Sequence, residues 1–193
     1  MREIFGILPK GRCGYLASMR KAAIIRAALF VGFSVLLVAM GRLVFRDMAT
    51  VFIICAVISA IPSAGAVVQL IMFLRFKGAD PSLFSQVEEK RGEIPVFYDL
   101  VFTTEKGSFE SKCLFALNKS LSLYMENGNR DMNDEFVRHL SYMAKKNGFK
   151  NWNFKIFNDL GLFLERLNYL NKQGIKQLDT DRKMLELVKE ITL

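Results

Sequence analysis

Residues 27–74 read AALFVGFSVLLVAMGRLVFRDMATVFIICAVISAIPSAGAVVQLIMFL, two apolar stretches parted only by Arg46-Asp47. The second, Met48 to Leu74, meets no charged side chain until Arg75. A helix that crosses a hydrocarbon core of about 30 Å needs about 20 apolar residues, and this stretch exceeds that length. The first, Ala27 to Phe45, is shorter and spans if Arg42 snorkels to the interface. The pattern predicts a transmembrane hairpin with helices over about 27–45 and 48–74.

The rest of the 193 residues fall on either side of it. Residues 1–26 form a basic juxtamembrane lead, 27–75 the hairpin, and 76–193 a soluble domain long enough for its own core. The lead carries Arg2, Lys10, Arg12, Arg20, Lys21 and Arg26 against Glu3 alone. The soluble part has 18 basic and 17 acidic residues. Most of the net charge of +8 is therefore expected beside the membrane. A nucleic-acid-binding domain carries a basic footprint of its own, so nucleic acid is not an expected partner. The expected partners are the bilayer, with anionic headgroups at the basic flank, and a protein or a second copy of the chain.

Basic residues near the membrane also set orientation. Arg75, Lys77, Lys90 and Arg91 follow the second stretch, and only Arg42 and Arg46 mark the turn. Both termini are expected in the cytoplasm, with the chain integral to a bacterial cell membrane. No cleaved signal peptide is expected, because a second span follows the first at once. Ile4, Phe5, Ile7 and Leu8 among basic residues suit an interfacial segment on headgroups or a plain topogenic flank.

Lipid gives helices no hydrophobic drive to associate, so small side chains must pack. Ala28, Gly32, Val35 and Ala39 make one such stripe; Ala56, Ser59, Ala60 and Ser63 make another, and the two are expected to meet. Pro62 removes a backbone hydrogen bond and is expected to kink the second helix. Ser59, Ser63 and Gln69 read as glue between helices rather than a transport path, since no ionisable group lies between Ala49 and Leu74.

In the soluble part, Asp80-Pro81 opens a short helix that Gly92 stops. Ile94 to Thr104 and Phe109 to Leu117 alternate as strands around a turn at Glu105-Lys106-Gly107-Ser108. A turn centred on Lys106-Gly107 pairs Tyr98 with Phe115 and Leu100 with Cys113, giving one apolar face. Ser120 to Met125 is a third strand. Asp131 opens a helix burying Met132, Phe136, Val137, Leu140, Met143 and Ala144. Trp152, Phe154 and Ile156 alternate in a fourth strand, and two helices follow from Asp159 and Thr180. The order α-β-β-β-α-β-α-α predicts an α+β domain with a four-stranded sheet and helices mainly on one face.

Little chemistry is legible. Cys13, Cys55 and Cys113 lack disulfide or metal spacing. His139 is the single histidine and sits at the edge of an apolar stripe. Neither phosphate-binding glycine loop occurs, and no cofactor or metal is expected. Asp99 and Glu110-Ser111-Lys112 stand on neighbouring strands. With the order α-β-β-β-α-β over about 80–157, they resemble the core of the restriction-endonuclease-like nucleases. That resemblance implies an Asp and a Glu-x-Lys holding a divalent metal. The expected register sets Asp99 opposite Leu114, roughly 13 Å along the sheet from Glu110, too far to share an ion of about 2.1 Å bond length. The leading expectation is therefore non-enzymatic: a membrane-anchored interaction or scaffolding domain at the cytoplasmic face. The alternative is a membrane-tethered, metal-dependent nuclease using Asp99, Glu110 and Lys112.

Overall fold

The computed structural model describes residues 8–43, 49–104, 107–126, 128 and 130–192, the side chain of Arg130 excepted. The expected turns at Arg46-Asp47 and Glu105-Lys106, and Ile4, Phe5 and Ile7 of the lead, lie outside the described residues. The chain forms two compact units, one holding 16–77 and the other 9–15 with 78–193. The basic lead is thus divided between them.

The first unit is two long helices, α1 (Tyr15–Leu43) and α2 (Ala49–Leu74). α1 starts well ahead of Ala27, so Leu16 to Arg26 continue the apolar helix instead of preceding it. Both helices are long and apolar enough to cross a membrane, and only 11% and 17% of their most apolar windows is buried. Leu29, Val57 and Ile61 are more than 60% exposed. A core helix of a water-soluble protein hides such residues.

The contact uses most of the expected stripe on α2 (Ala56, Ser59 and Ser63) but a different face of α1. Arg26 Nη1 donates to Gln69 Oε1 at 3.1 Å. Ser34 Oγ lies 2.8 Å from Ser59 Oγ and 3.0 Å from Ser63 Oγ. A Cβ added at Gly41 would meet the Phe52 Cβ at 2.6 Å, so only glycine allows this approach. Ala27, Ser34 and Gly41 recur every seven residues, as do Phe52, Ser59 and Ala66, the spacing of a coiled-coil seam. On α2, Ala56 and Ser63 are buried and Ser59 half-buried, whereas Ala60 and Pro62 are exposed. On α1, Ala28 and Gly32 are exposed and Ala39 half-buried. The small stripe at 28, 32, 35 and 39 is thus not the contact face. The side chains that need hydrogen-bond partners, Arg26 and Ser34, turn a different face inward. α2 runs through Pro62 as one helix.

The second unit has the element order expected for the domain: α3 (Pro81–Arg91), β1 (Val96–Thr104), β2 (Gly107–Leu117), β3 (Ser120–Tyr124), α4 (Arg130–Lys146), β4 (Asn153–Phe157), α5 (Leu160–Lys172) and α6 (Asp179–Ile191). The mixed sheet has order β1-β2-β3-β4. The first three strands are antiparallel, and β4 runs parallel to β3 after the α4 crossover.

Helices cover both faces of the sheet, not mainly one. Phe136, Leu140 and Ala144 of α4 and Met184, Leu185 and Val188 of α6 pack with Leu100, Phe102, Leu114 and Leu123. Leu83 and Val87 of α3 and Phe163, Leu164 and Leu167 of α5 pack with Val96, Tyr98, Cys113 and Phe115 on the other face. Both faces of β2 are buried from Ser111 to Leu117, a pattern that alternation alone does not signal. Met132, expected in the core stripe of α4, is 45% exposed.

Local capping is partly as the residues suggest. Asp159 accepts from the Leu162 amide at 3.1 Å. Asp80 precedes Pro81 but makes no side-chain cap bond. Asn118 and Lys119, with φ of 51° and 54°, form the two-residue turn between β2 and β3. Their amides donate to one carboxylate, Asp181 on α6, each at 3.0 Å. The Leu178 amide adds a third bond at 3.0 Å. Asp181 is fully buried and ties the hairpin to the start of α6.

Replacing Asp181 with Ala removes the buried carboxylate that three backbone amides share as acceptor. The expected loss is about 3 kcal/mol, read as a lowered thermal midpoint of the detergent-solubilised chain. Asp159→Ala, at an exposed cap, should cost about 1 kcal/mol.

Candidate functional site

A break in regularity between β1 and β2 marks the site. Asp99 lies inside β1 with φ of 55°, a left-handed conformation for a residue bearing a side chain. Tyr98 pairs with Cys113 and Leu100 with Ser111, so the count of residues is unbroken. Asp99 and Lys112 stand level between these pairs, outside the set of ladder pairs. The expected pairings of Tyr98 with Phe115 and Leu100 with Cys113 are therefore corrected by two residues.

The step turns the ribbon over. Val96 and Tyr98 face the α3/α5 core, yet Leu100 and Phe102 face the α4/α6 core. Across the hairpin, Phe109 faces the α4/α6 core while Cys113 and Phe115 face the other. Strict alternation would keep residues of the same parity on one face. Asp99 at positive φ permits the reversal.

The reversal delivers three charged side chains to two backbone segments. Asp99 Oδ2 accepts from the Gly14 amide at 2.7 Å, and Oδ1 from the Ala79 amide at 2.5 Å. Glu110 Oε1 accepts from the Gly78 amide at 2.7 Å and from Lys112 Nζ at 2.8 Å. Lys112 Nζ also donates to the Gly78 carbonyl at 2.6 Å and lies 3.8 Å from Glu126. Asp99 and Lys112 are buried. Gly14 immediately precedes α1, and Gly78 follows α2 by three intervening residues. The points where the chain leaves this unit for the apolar helices and returns are both held by the Asp99 carboxylate.

Strand β1 is also closed at its outer edge. The Tyr98 amide donates to the Gly11 carbonyl at 2.9 Å, and Phe102 bridges Thr192. Lys10 Nζ donates to the Thr192 carbonyl at 2.7 Å. The segment before α1 is thereby built into the sheet, where the sequence suggested a lead lying outside the domain.

Asp99, Glu110 and Lys112, named from sequence as candidate metal-site residues, are thus neighbours. Glu110 lies two residues from the position opposite Asp99, about 7 Å along the strand, in place of the roughly 13 Å of the expected register. Their geometry serves the backbone: the Gly78–Ala79 chain lies against both carboxylates and donates to each. Among the described residues no group of three His, Cys, Asp or Glu side chains could hold a metal ion. His139 is half-buried.

The surroundings suppress thiol and phenol ionisation. Burial, then the nearby charges of Asp99 and Glu88, raise the Cys13 pKa. Burial, then Asp99, raises that of Cys113 far above its usual 9.0. Burial, then a hydrogen bond to Glu88, raises that of Tyr98. The three cysteines are free.

A second feature of this unit is a cleft of about 940 Å³ lined by Phe97, Leu117, Ile175, Gln177, Arg182 and Leu185 among others. The buried Nε2 of Gln177 has no hydrogen-bond partner there. Sequence spacing named no such cleft and gave Asp181 no part in holding the β2–β3 turn. Comparison with protein-family models, with curated proteins and with solved structures finds no match.

Asp99→Ala should free the Gly14 and Ala79 amides. Their hydrogen exchange should accelerate about a hundredfold, matching about 3 kcal/mol. Asp99→Asn, which keeps an acceptor oxygen, should fall between. Cys113 sets an alkaline limit: its raised folded pKa keeps the thiol protonated while the unfolded chain ionises near 9.0. Folding stability should therefore be full below about pH 9 and fall as pH rises beyond it, with a shallower fall in Cys113→Ala.

Proposed function

We propose that this chain is an integral membrane protein whose two apolar helices anchor an α+β interaction domain, and that it acts by holding that domain at the membrane for a protein partner. The observation that carries the reading is the exposure of α1 and α2: 11% and 17% of their apolar windows is buried, while their polar side chains turn toward each other. Residues 49–68 of α2 rise about 30 Å, the thickness of a hydrocarbon core. Gln69 and its partner Arg26 then lie at headgroup level, where a guanidinium is solvated.

The distribution of basic residues favours both termini on the cytoplasmic side, with anionic lipid against Arg20, Lys21 and Arg75. Both segments that lead to the helices, at Gly14 and at Gly78–Ala79, are hydrogen-bonded into the domain through the Asp99 cluster. A nuclease reading is less well supported, because a shared ion between Asp99 and Glu110 would have to displace the Gly78 and Ala79 amides.

The full-length chain should stay with membranes through an alkaline carbonate wash and float with vesicles in a density gradient. Release into the supernatant would remove the proposal. An Asn151→Cys reporter in sealed cells should react with an impermeant maleimide only after permeabilisation; labelling of intact cells would reverse the orientation.

A further inference from the structure

The outer face of α4 carries charge of two signs in sequence along its axis. Asp131 and Asp134 occupy its first turns, Arg138 and Tyr142 its middle, and Lys145 and Lys146 its end. At 100° per residue these side chains share one stripe, opposite the buried Phe136, Leu140 and Ala144. All six are exposed, and Tyr142 is 62% exposed. Among the described residues, the side chains of Asp134, Lys145 and Lys146 make no hydrogen bond or ion pair. From Phe136 to Asn158 the chain has no acidic residue and five cations, Arg138, Lys145, Lys146, Lys150 and Lys155.

We infer that this face of α4 docks on the same face of a second copy of the chain, antiparallel, about a two-fold axis near Leu140. The inference rests on the membrane-anchored reading and names the partner it calls for. In that arrangement residue i lies level with residue 280 − i of the other copy. Asp134 then meets Lys146 with Lys145 beside it, and Arg138 lies over the ring of Tyr142, each contact made twice by symmetry. Arg over an aromatic face attracts as a cation–π pair.

A helix dipole favours acids at the start and bases at the end, which accounts for Asp131 and Lys146. It does not account for an exposed tyrosine beside an arginine in mid-helix. One polar helix pair is a small interface, and exposed ion pairs are weak. Confinement to a bilayer raises the effective concentration enough for such a contact to act. A foreign acidic segment could engage Lys145, Lys146 and Lys150 but would leave Asp131 and Asp134 opposing like charge. Self-pairing satisfies both ends.

The test uses the full chain in phosphatidylcholine vesicles, labelled with donor or acceptor dye and scored for energy transfer, with flotation of the same sample reporting insertion. The wild type should show transfer that falls with salt. D131K/D134K alone and K145E/K146E alone should each lose it. A one-to-one mixture of the two variants should restore it, because a face with basic side chains at both ends meets one with acidic side chains at both ends. A matched control, K172E/K183E, should leave transfer unchanged. Transfer that survives either face variant, or a mixture that restores nothing, overturns the pairing. A signal present only after adding an acidic peptide or an oligonucleotide would overturn it in favour of that partner. Failure to float would strike the membrane reading instead.

Discussion

The second unit depends on how one carboxylate is satisfied. A buried aspartate needs donors, and Asp99 finds them in the amides of Gly14 and Ala79. To reach them its residue adopts positive φ, and the β1–β2 ribbon turns over at that level. The reversal directs Leu100, Phe102 and Phe109 toward α4 and α6, while Tyr98, Cys113 and Phe115 stay with α3 and α5. Sheet, both cores and both chain connections thus share one local event.

The same physical demand organises the first unit. Among apolar side chains, the few polar groups gather at the contact face, and apolar bulk fills what remains. Ser34, Ser59 and Ser63 make the middle of the seam, Arg26 and Gln69 one end, and the bare backbone of Gly41 allows the other end to close. The guanidinium of Arg20 donates to the Phe76 carbonyl just past the end of α2, a cation where the helix dipole favours one. The pairing of α1 with α2 thus rests on a small set of polar contacts.

Much of the secondary structure was legible because it follows from periodicity. The two long apolar runs, the order of elements, the Asp159 cap and the strands of the second unit all appear where alternation or helical spacing placed them. Register was not legible. The apolar pattern of β1 and β2 supports a single continuous face, and no residue type announces that Asp99 will adopt positive φ. The helix seam escaped for a related reason: two small-residue stripes lie on α1, and hydrogen bonding to a distant helix selects between them. Asp99, Glu110 and Lys112 were singled out for their types and spacing, but their partners, Gly14, Gly78 and Ala79, are glycine and alanine backbone that no motif marks.

By itself the sequence determined what each segment prefers: long helices that avoid water, a near-neutral α+β globule, basic residues gathered beside the apolar run. These are local properties, set by the spacing of side chains along three or four residues. Only the tertiary structure decided which faces meet. A buried polar group is satisfied by whatever donor the rest of the chain brings within about 3 Å, and that donor can lie 20 or 85 residues away, as Ala79 and Gly14 do from Asp99.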